Sequence, residues 1–202
     1  MFVAGLTGGI GSGKSAVANL LQEQGIVAVD ADQVARDVVL PGEPALAQIA
    51  QHFGTDILLP DGTLDRTQLR QIVFADPKAR LWLEALLHPL IRERIQASLH
   101  AATSPYSLLV SPLLLETDQH SLVNHVIVVD VPEETQLQRT VERDQNSPDQ
   151  VKRIMAAQID RQSRLARADS IIDNSGNLQS LRTATLQLHQ TLLQLAQDLR
   201  DS

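Results

Sequence analysis

The stretch GLTGGIGSGKSAV, residues 5–17, decides the fold class of this chain. Gly8 is followed by four residues and then by Gly13, Lys14 and Ser15, which is the spacing of the P-loop that binds nucleoside triphosphates. Glycines allow successive backbone N–H groups to point inward at a phosphate. The Lys14 ammonium can neutralise the β- and γ-phosphates, and the Ser15 hydroxyl can bind Mg²⁺. The stretch therefore predicts a nucleotide site.

The segments on both sides of this loop have the pattern that a P-loop requires. Residues 2–7 are apolar and predict a buried strand, residues 14–24 predict a helix, and residues 26–30 predict a second buried strand. A strand, a glycine loop, a helix and a strand form a βαβ unit, in which the strands are parallel and the crossover is right-handed. We therefore expect an α/β protein with a parallel sheet.

The chain between 31 and about 104 has helical periodicity and no predicted strand, so it is expected to be a helical insertion. Pro89 lies inside one of its helical patterns and should kink or break that helix just after His88. We expect the leucines of the C-terminal helix, at 181, 188, 192, 195 and 199, to pack on the chain's own core. The other predicted elements are strands over 106–111, 125–131 and 170–173, and helices over 133–144, from Ser147 to about Arg167, and from about Leu178.

Length, charge and composition exclude several classes of protein. A chain of 202 residues suffices for one compact domain with a lobe or insertion. The formal charge of −7 argues against a general nucleic-acid binder. The absence of cysteine excludes disulfides and thiolate metal sites and fits a reducing cytoplasm. No apolar run is long enough to span a bilayer, and no signal peptide is visible. We expect a cytoplasmic protein without nucleic-acid or membrane partners.

Four acidic residues follow predicted strands or apolar runs. Asp30 and Asp32, in the sequence VDAD, come where a parallel strand ends, which is where ligands bind such sheets. Asp32 could accept the proton of an attacking hydroxyl, and either residue could help to hold Mg²⁺; the alternative is that they start the next helix. Glu116 and Asp130 could lie near the metal, and Asp130 could equally begin the helix that follows it.

An arginine-rich segment, residues 139–167, holds seven basic and four acidic residues. Arginine suits bidentate contacts with phosphate. Arg139 and Arg143 are four residues apart and share a helix face. A lid that closes arginines over the phosphates would exclude water and offset developing charge. A solvated helix face with ion pairs is the alternative.

Several classes of P-loop protein remain open at this point. The N-K-x-D motif of guanine-specific switches is absent from the sequence, and an ATP-driven motor would need a longer chain. A small kinase needs an acceptor site, a base and a lid, and the sequence offers candidates for each. A nucleotide-binding regulatory module needs no base, so the Asp32 carboxylate and the arginine-rich segment argue against that alternative.

The ordered motifs along the chain resemble the dephospho-coenzyme A kinase family. The resemblance covers essentially the whole chain. Its first motif is shared by all P-loop proteins, but the ordered set is far more specific. The motifs are LTGGIGSGKS (6–15), DAD (30–32), HPL (88–90), PLLLE (112–116), VVDVPEETQLQRTVERD (128–144), RIMAAQ (153–158) and ADSIIDNSG (168–176).

The resemblance implies the P-loop kinase fold, with a three-layer parallel-sheet core, a helical substrate-binding insertion and a helical lid. It implies a single domain over 1–202, with the acceptor-binding region over about 31–104, the lid over about 136–167, and the core in the remaining segments, 1–30, 105–135 and 168–202. The activity implied is ATP-dependent phosphorylation of the ribose 3′-hydroxyl of dephospho-CoA, the last step of coenzyme A biosynthesis. We expect a monomer, with a homo-oligomer left open.

The resemblance also implies roles for individual residues. Asp32 looks like the catalytic base and an acceptor-site residue, while Lys14 serves catalysis and ATP binding. His88 is either an acceptor-site residue or a packing residue. Ser15 would hold Mg²⁺, with Asp30 or Glu116 as a further ligand. The residues that would bind ATP are Gly9, Gly11, Ser12, Gly13, Lys14, Ser15, Ala16, Arg139, Asn174 and Gly176.

Two positions depart from the family pattern. Ala16 stands where many members carry Thr, and Leu115 stands where an aromatic residue is common. One hydroxyl suffices for the metal, and the second change is conservative, so neither departure argues against the activity. The nearest alternative is another small-molecule P-loop kinase, acting on a nucleoside monophosphate or a sugar.

Overall fold

The computed structural model describes residues 1–145 and 147–201. Every predicted strand is present there, with ends that differ by at most one residue from the prediction. The strands are β1 (Val3–Gly8), β2 (Val27–Asp30), β3 (Ser107–Val110), β4 (His125–Asp130) and β5 (Ser170–Asp173). The helices are α1 (Lys14–Glu23), α2 (Ala31–Asp37), α3 (Pro44–Phe53), α4 (Arg66–Ala75), α5 (Pro77–His100), α6 (Glu133–Asp144), α7 (Pro148–Ala157), α8 (Arg161–Ala166) and α9 (Leu178–Asp201), with 3₁₀ turns at Thr55–Ile57 and Asp118–Leu122. None of these helices is both long and apolar enough to cross a membrane.

The five strands form one parallel sheet with the order β2-β3-β1-β4-β5. Leu6 of β1 lies level with Val110 of β3 and Ile127 of β4. The opposite face of β1 is closely covered, because a Cβ on Gly5 would lie 2.6 Å from the Leu114 side chain. The predicted parallel α/β sheet is confirmed. The glycine loop directly follows β1, which is the central strand of the sheet.

Helices α1 and α9 bury their apolar faces in the main core, on the sheet. Leu181, Leu188 and Leu192 of α9 belong to this core, together with residues of β1, β3 and β4. The predicted packing of the leucine stripe is therefore confirmed for these three residues. Leu199, near the end of the helix, is 46% exposed.

One polar pair lies inside this core. The Tyr106 hydroxyl and His189 Nδ1 are 2.9 Å apart, and both residues are buried. Burial lowers the pKa of His189 and raises the pKa of Tyr106, because each charged form would lose its hydration. The pair therefore remains neutral in the folded protein at neutral pH, with each group satisfied by the other.

The chain divides into two compact units. The sheet unit contains residues 1–30 and the chain from 99 onward, and the helical unit is Ala31–Ser98. Within the helical unit, the Trp82 ring stacks on His52 at 3.7 Å, and Phe53 meets Trp82 edge-on. Within the described residues, the helical unit has one isolated antiparallel bridge, between Leu58 and Leu64, and no strand, as predicted.

The sequence predicts a kink or a break at Pro89, and the break is wrong. Helix α5 continues through Pro89 and ends at His100. Proline removes one helical hydrogen bond, which would leave the Ala85 carbonyl without its donor. Both Ala85 and Pro89 are exposed, so water can reach that carbonyl. The buried side chain of Ile95, beyond the proline, continues to stabilise the helix through packing.

The single helix predicted from Ser147 to about Arg167 is also wrong in its middle. Ser147 caps α7 in a capping box with Pro148 in the first turn, as predicted, but α7 ends at Ala157 and α8 begins at Arg161. The Asp160 carboxylate accepts from the Ser163 N–H and caps α8. A new helix therefore starts within the stretch where one continuous helix was expected.

Candidate nucleotide-binding site

The loop between β1 and α1 has the backbone geometry of a phosphate-binding loop. Gly11 and Gly13 have φ values of +72° and +92°, in the left-handed region that favours glycine. Gly13 occupies the N-cap of α1, and no side chain of the described residues caps that helix. The first N–H groups of α1 and the positive end of its dipole are therefore suited to an anion.

Lys14 lies across this loop. Its ammonium donates hydrogen bonds to the carbonyl oxygens of Gly8, at 2.8 Å, and Gly9, at 3.2 Å. Ser15 follows on α1 with an exposed side chain, whereas Ala16 packs partly against the core and donates its N–H to the Gly13 carbonyl. Lys14, predicted to contact the phosphates, and Ser15, predicted to bind the metal, therefore both lie in the first turn of α1.

Helix α6 forms the floor of the loop. A Cβ on Gly9 would overlap the side-chain amide of Gln136, whose Cδ would lie 2.8 Å away. A Cβ on Gly11 would lie 2.6 Å from Thr140 Oγ1 and 2.7 Å from the Gln136 carbonyl oxygen. Gln136 and Thr140 are both buried. Gly11 is therefore required by close packing against the α6 backbone, in addition to any approach of phosphate, whereas a Cβ on Gly9 would require the Gln136 side chain to move.

The structure brings four of the predicted ATP-binding residues together at the other end of the loop, namely Ser12, Gly13, Arg139 and Asn174. The Asn174 side-chain amide donates to the Ser12 carbonyl at 2.8 Å, and a Cβ on Gly13 would overlap that amide. Arg139, on α6, donates to the Asn174 carbonyl at 3.1 Å. Gly176 follows two residues later, with Ser180 of α9 as the neighbour that a Cβ would meet.

Two of the candidate acids are engaged by the arginine-rich segment. Asp130, at the end of β4, accepts two hydrogen bonds from the Arg161 guanidinium, at 2.9 and 2.6 Å. The Glu116 carboxylate accepts from the Ile159 N–H at 3.0 Å. Asp30 ends β2 with an exposed side chain. In the described part of the chain, no three His, Asp or Glu side chains are grouped closely enough to hold a metal on their own.

The arginines of the segment have different environments. Arg143 pairs with its exposed neighbour Asp144, so the ion-paired surface alternative describes this residue. Arg164 is buried and donates to the Ile159 carbonyl at 2.6 Å, and burial lowers its pKa. Arg167 donates to the Leu115 carbonyl. Arg139 is the arginine that the structure places next to the loop's own partner, Asn174.

Asp32 and His88 belong to the helical unit. Asp32 lies in the first turn of α2 with an exposed side chain, where its charge is also favourable to the helix dipole. His88 is exposed on α5, directly before Pro89. The structure thus gives His88 no role in the packing of the apolar core.

Three residues of the site had no role in the sequence-based prediction. Gln136 and Thr140 support the loop from α6, and Gln158 accepts a hydrogen bond from the Ile10 N–H at 3.0 Å. Glutamine and threonine inside helices carry no chemical signal by themselves. Only their positions within the quoted motifs 128–144 and 153–158 could have pointed to them.

Comparison with known sequences gives a consistent result. A model of the family described as dephospho-CoA kinase matches residues 2–180 of this chain. The dephospho-CoA kinase of Hahella chejuensis is 54% identical over 195 residues, which cover 96% of this chain and 94% of that protein.

Comparison with solved structures supports the same fold. The dephospho-CoA kinase of Campylobacter jejuni matches with a TM-score of 0.71 at 28% identity, over 95% of this chain and 97% of that one. A shikimate kinase of Acinetobacter baumannii matches with a TM-score of 0.53 at 18% identity, over 96% and 94% of the two chains. The second likeness concerns the fold alone, which is that of P-loop kinases.

Proposed function

This chain belongs to the dephospho-CoA kinase family, and from that premise we propose that it transfers the γ-phosphoryl group of ATP to the ribose 3′-hydroxyl of dephospho-CoA. It is a P-loop kinase of coenzyme A biosynthesis. The observation that carries the proposal within the molecule is the glycine loop itself, with Lys14 across it and the uncapped start of α1 behind it.

The loop and α1 are proposed to hold the triphosphate. Backbone N–H groups between Gly11 and Ala16 would donate to the β- and γ-phosphate oxygens. Lys14 would exchange the carbonyl oxygens of Gly8 and Gly9 for those phosphates, because a charged acceptor binds an ammonium more strongly than a neutral one. Arg139 would contact ATP from the lid, and Asn174 and Gly176 would form part of the adenine pocket.

Magnesium fits the oxygen donors that this chain offers. Mg²⁺ prefers hydroxyl, carboxylate and phosphate oxygens, and the exposed Ser15 hydroxyl and the exposed Asp30 and Glu116 carboxylates are of this kind. Ser15 would hold the ion together with the phosphates, and Asp30 or Glu116 would add a further contact. The bound ion would neutralise charge on the β- and γ-phosphates.

Asp32 is proposed as the general base. Its exposed carboxylate would take the proton of the ribose 3′-hydroxyl as that oxygen bonds to the γ-phosphorus. The bond from the γ-phosphorus to the β–γ bridging oxygen breaks in the same transfer, and ADP leaves. Exposed His88 would contact the acceptor, and the arginines of the lid would exclude water from the phosphates.

A substrate comparison tests the activity. The enzyme is supplied with ATP and Mg²⁺ together with dephospho-CoA, nucleoside monophosphates or simple sugars in parallel, and ADP formation is measured. We expect turnover with dephospho-CoA. Turnover with only another acceptor would assign a different small-molecule kinase, and ATP binding without any turnover would assign a regulatory module.

Two substitutions test the mechanism. Asp32→Asn should keep ATP affinity and lose turnover by about 10²–10⁴-fold, the contribution of a general base; Asp37→Asn on the same helix is the matched control. Lys14→Ala should weaken ATP binding and reduce turnover, with Lys78→Ala as its control. Near-normal turnover of Asp32→Asn would leave Asp32 as a helix-start residue, and unchanged ATP binding by Lys14→Ala would remove the loop from the mechanism.

A further inference from the structure

The tip of the phosphate loop is held from outside by a residue of the arginine-rich segment. Gln158, directly after α7, accepts a hydrogen bond through its side-chain oxygen from the Ile10 N–H at 3.0 Å. Ile10 lies between Gly9 and Gly11, which face α6. The loop therefore has α6 beneath it and Gln158 as the acceptor for one of its backbone donors.

The backbone that presents Gln158 is itself fixed on several sides. In the next residue, the Ile159 N–H donates to the Glu116 carboxylate, and the Ile159 carbonyl accepts from the buried Arg164. Asp160 then caps α8. We name residues 158–160 the α7–α8 turn. The Gln158 side chain is thus presented by a segment whose own position depends on contacts with other elements.

We propose that Gln158 is a positioning residue for ATP: it holds the tip of the P-loop, Gly9–Gly11, in the phosphate-binding conformation and ties it to the α7–α8 turn. The inference rests on the proposed binding of ATP at this loop. A glycine-rich loop has many accessible conformations. Its apparent affinity for ATP is proportional to the fraction of molecules in which the loop has the phosphate-binding conformation. A neutral amide oxygen restrains the loop without adding negative charge beside the phosphates.

The test compares Gln158→Met with Gln162→Met. Both changes replace glutamine by an uncharged side chain of similar size, and Gln162 is an exposed residue of α8, four positions away. The dissociation constant of ATP is measured by calorimetry. The KM for each substrate, kcat and the melting temperature without nucleotide are measured in parallel. Gln158→Met should raise the Kd and the KM for ATP by about 3- to 10-fold, the range for one lost hydrogen bond. Its kcat and its KM for the acceptor should match those of Gln162→Met.

Two outcomes would overturn the proposal. Wild-type ATP affinity in Gln158→Met would show that the contact does not position the loop. A fall in melting temperature, accompanied by an equal loss of affinity for both substrates, would show a merely structural role. Lys14→Ala separates this inference from its premise. If Lys14→Ala binds ATP normally, the proposed ATP site itself fails. If Lys14→Ala binds ATP more weakly but Gln158→Met binds it normally, only the role of Gln158 is rejected.

Discussion

Replacing Gly11 by alanine tests whether α6 is the floor of the phosphate loop. The new Cβ would lie 2.6 Å from Thr140 Oγ1 and 2.7 Å from the Gln136 carbonyl oxygen. The carbonyl belongs to a helix backbone and cannot rotate away as a side chain can. The residue would also have to adopt a φ of +72°, which alanine avoids. The substitution therefore combines a backbone penalty with a packing penalty.

The two penalties can be separated by magnitude. A left-handed conformation costs a residue with a Cβ about 1–2 kcal/mol. Forcing a methyl group into a well-packed site costs about 1–3 kcal/mol more. Gly11→Ala should therefore lower the free energy of unfolding by about 2–5 kcal/mol in total. Gly25, just after α1, has a φ of +82° and no atom within 4 Å of its added Cβ, so Gly25→Ala carries only the first penalty.

Urea denaturation of the two variants and the wild type, without nucleotide, measures both terms. Calorimetric titration with ATP shows whether the loop has instead relieved the contact by moving, since a displaced loop binds ATP more weakly. If Gly11→Ala is no less stable than Gly25→Ala and binds ATP with wild-type affinity, the close packing of α6 against the loop is refuted.

Three further predictions concern buried and paired polar groups. Because burial lowers the pKa of His189 from 6.5 in the folded state, the unfolded state takes up the proton first. The free energy of unfolding should therefore decrease as the pH drops below about 6.5. Denaturant titrations at several pH values should show a smaller decrease for His189→Gln than for the wild type, and an equal decrease would contradict this. Asn174→Asp would place a carboxylate against the Ser12 carbonyl, so calorimetry should show at least about tenfold weaker ATP binding; wild-type affinity would count against it. Asp130→Asn should cost about 1 kcal/mol of stability, because its partner Arg161 is partly exposed. Its turnover should be retained, and a loss above about 10²-fold would contradict this and favour a position of Asp130 near the metal.

The sheet and the loop could be predicted because their signals are local. The apolar run before Gly8, the spacing to Lys14 and the helical pattern after it lie within one short segment. The break between α7 and α8 was missed, because no glycine or proline marks residues 158–160. Asp160, the N-cap of α8, is the one local signal for a new helix there. The hydrogen bond from the Ile159 N–H to Glu116, 43 positions away along the chain, has no trace in local propensity.

The site was predictable to the same extent. Lys14, Arg139 and Asn174 combine a chemical group with a motif, and the structure brings the second and third together. Gln136 and Thr140 resemble ordinary helical residues, since their role depends on the absence of side chains at Gly9 and Gly11. Sequence patterns identify residues that can bind a ligand. They identify less readily the residues that only pack against the binding residues.

The stacked Trp82 and the buried Tyr106 make this protein its own spectroscopic probe. The chain has one tryptophan and one tyrosine, and each compact unit contains one of them. Selective excitation of Trp82 reports on the helical unit, while near-ultraviolet absorbance of Tyr106 reports on the sheet unit. Coincident midpoints in a denaturant titration would mark one cooperative transition, and separate midpoints would mark two. Since the chain has no cysteine, a single introduced thiol would also carry a dye at one chosen position.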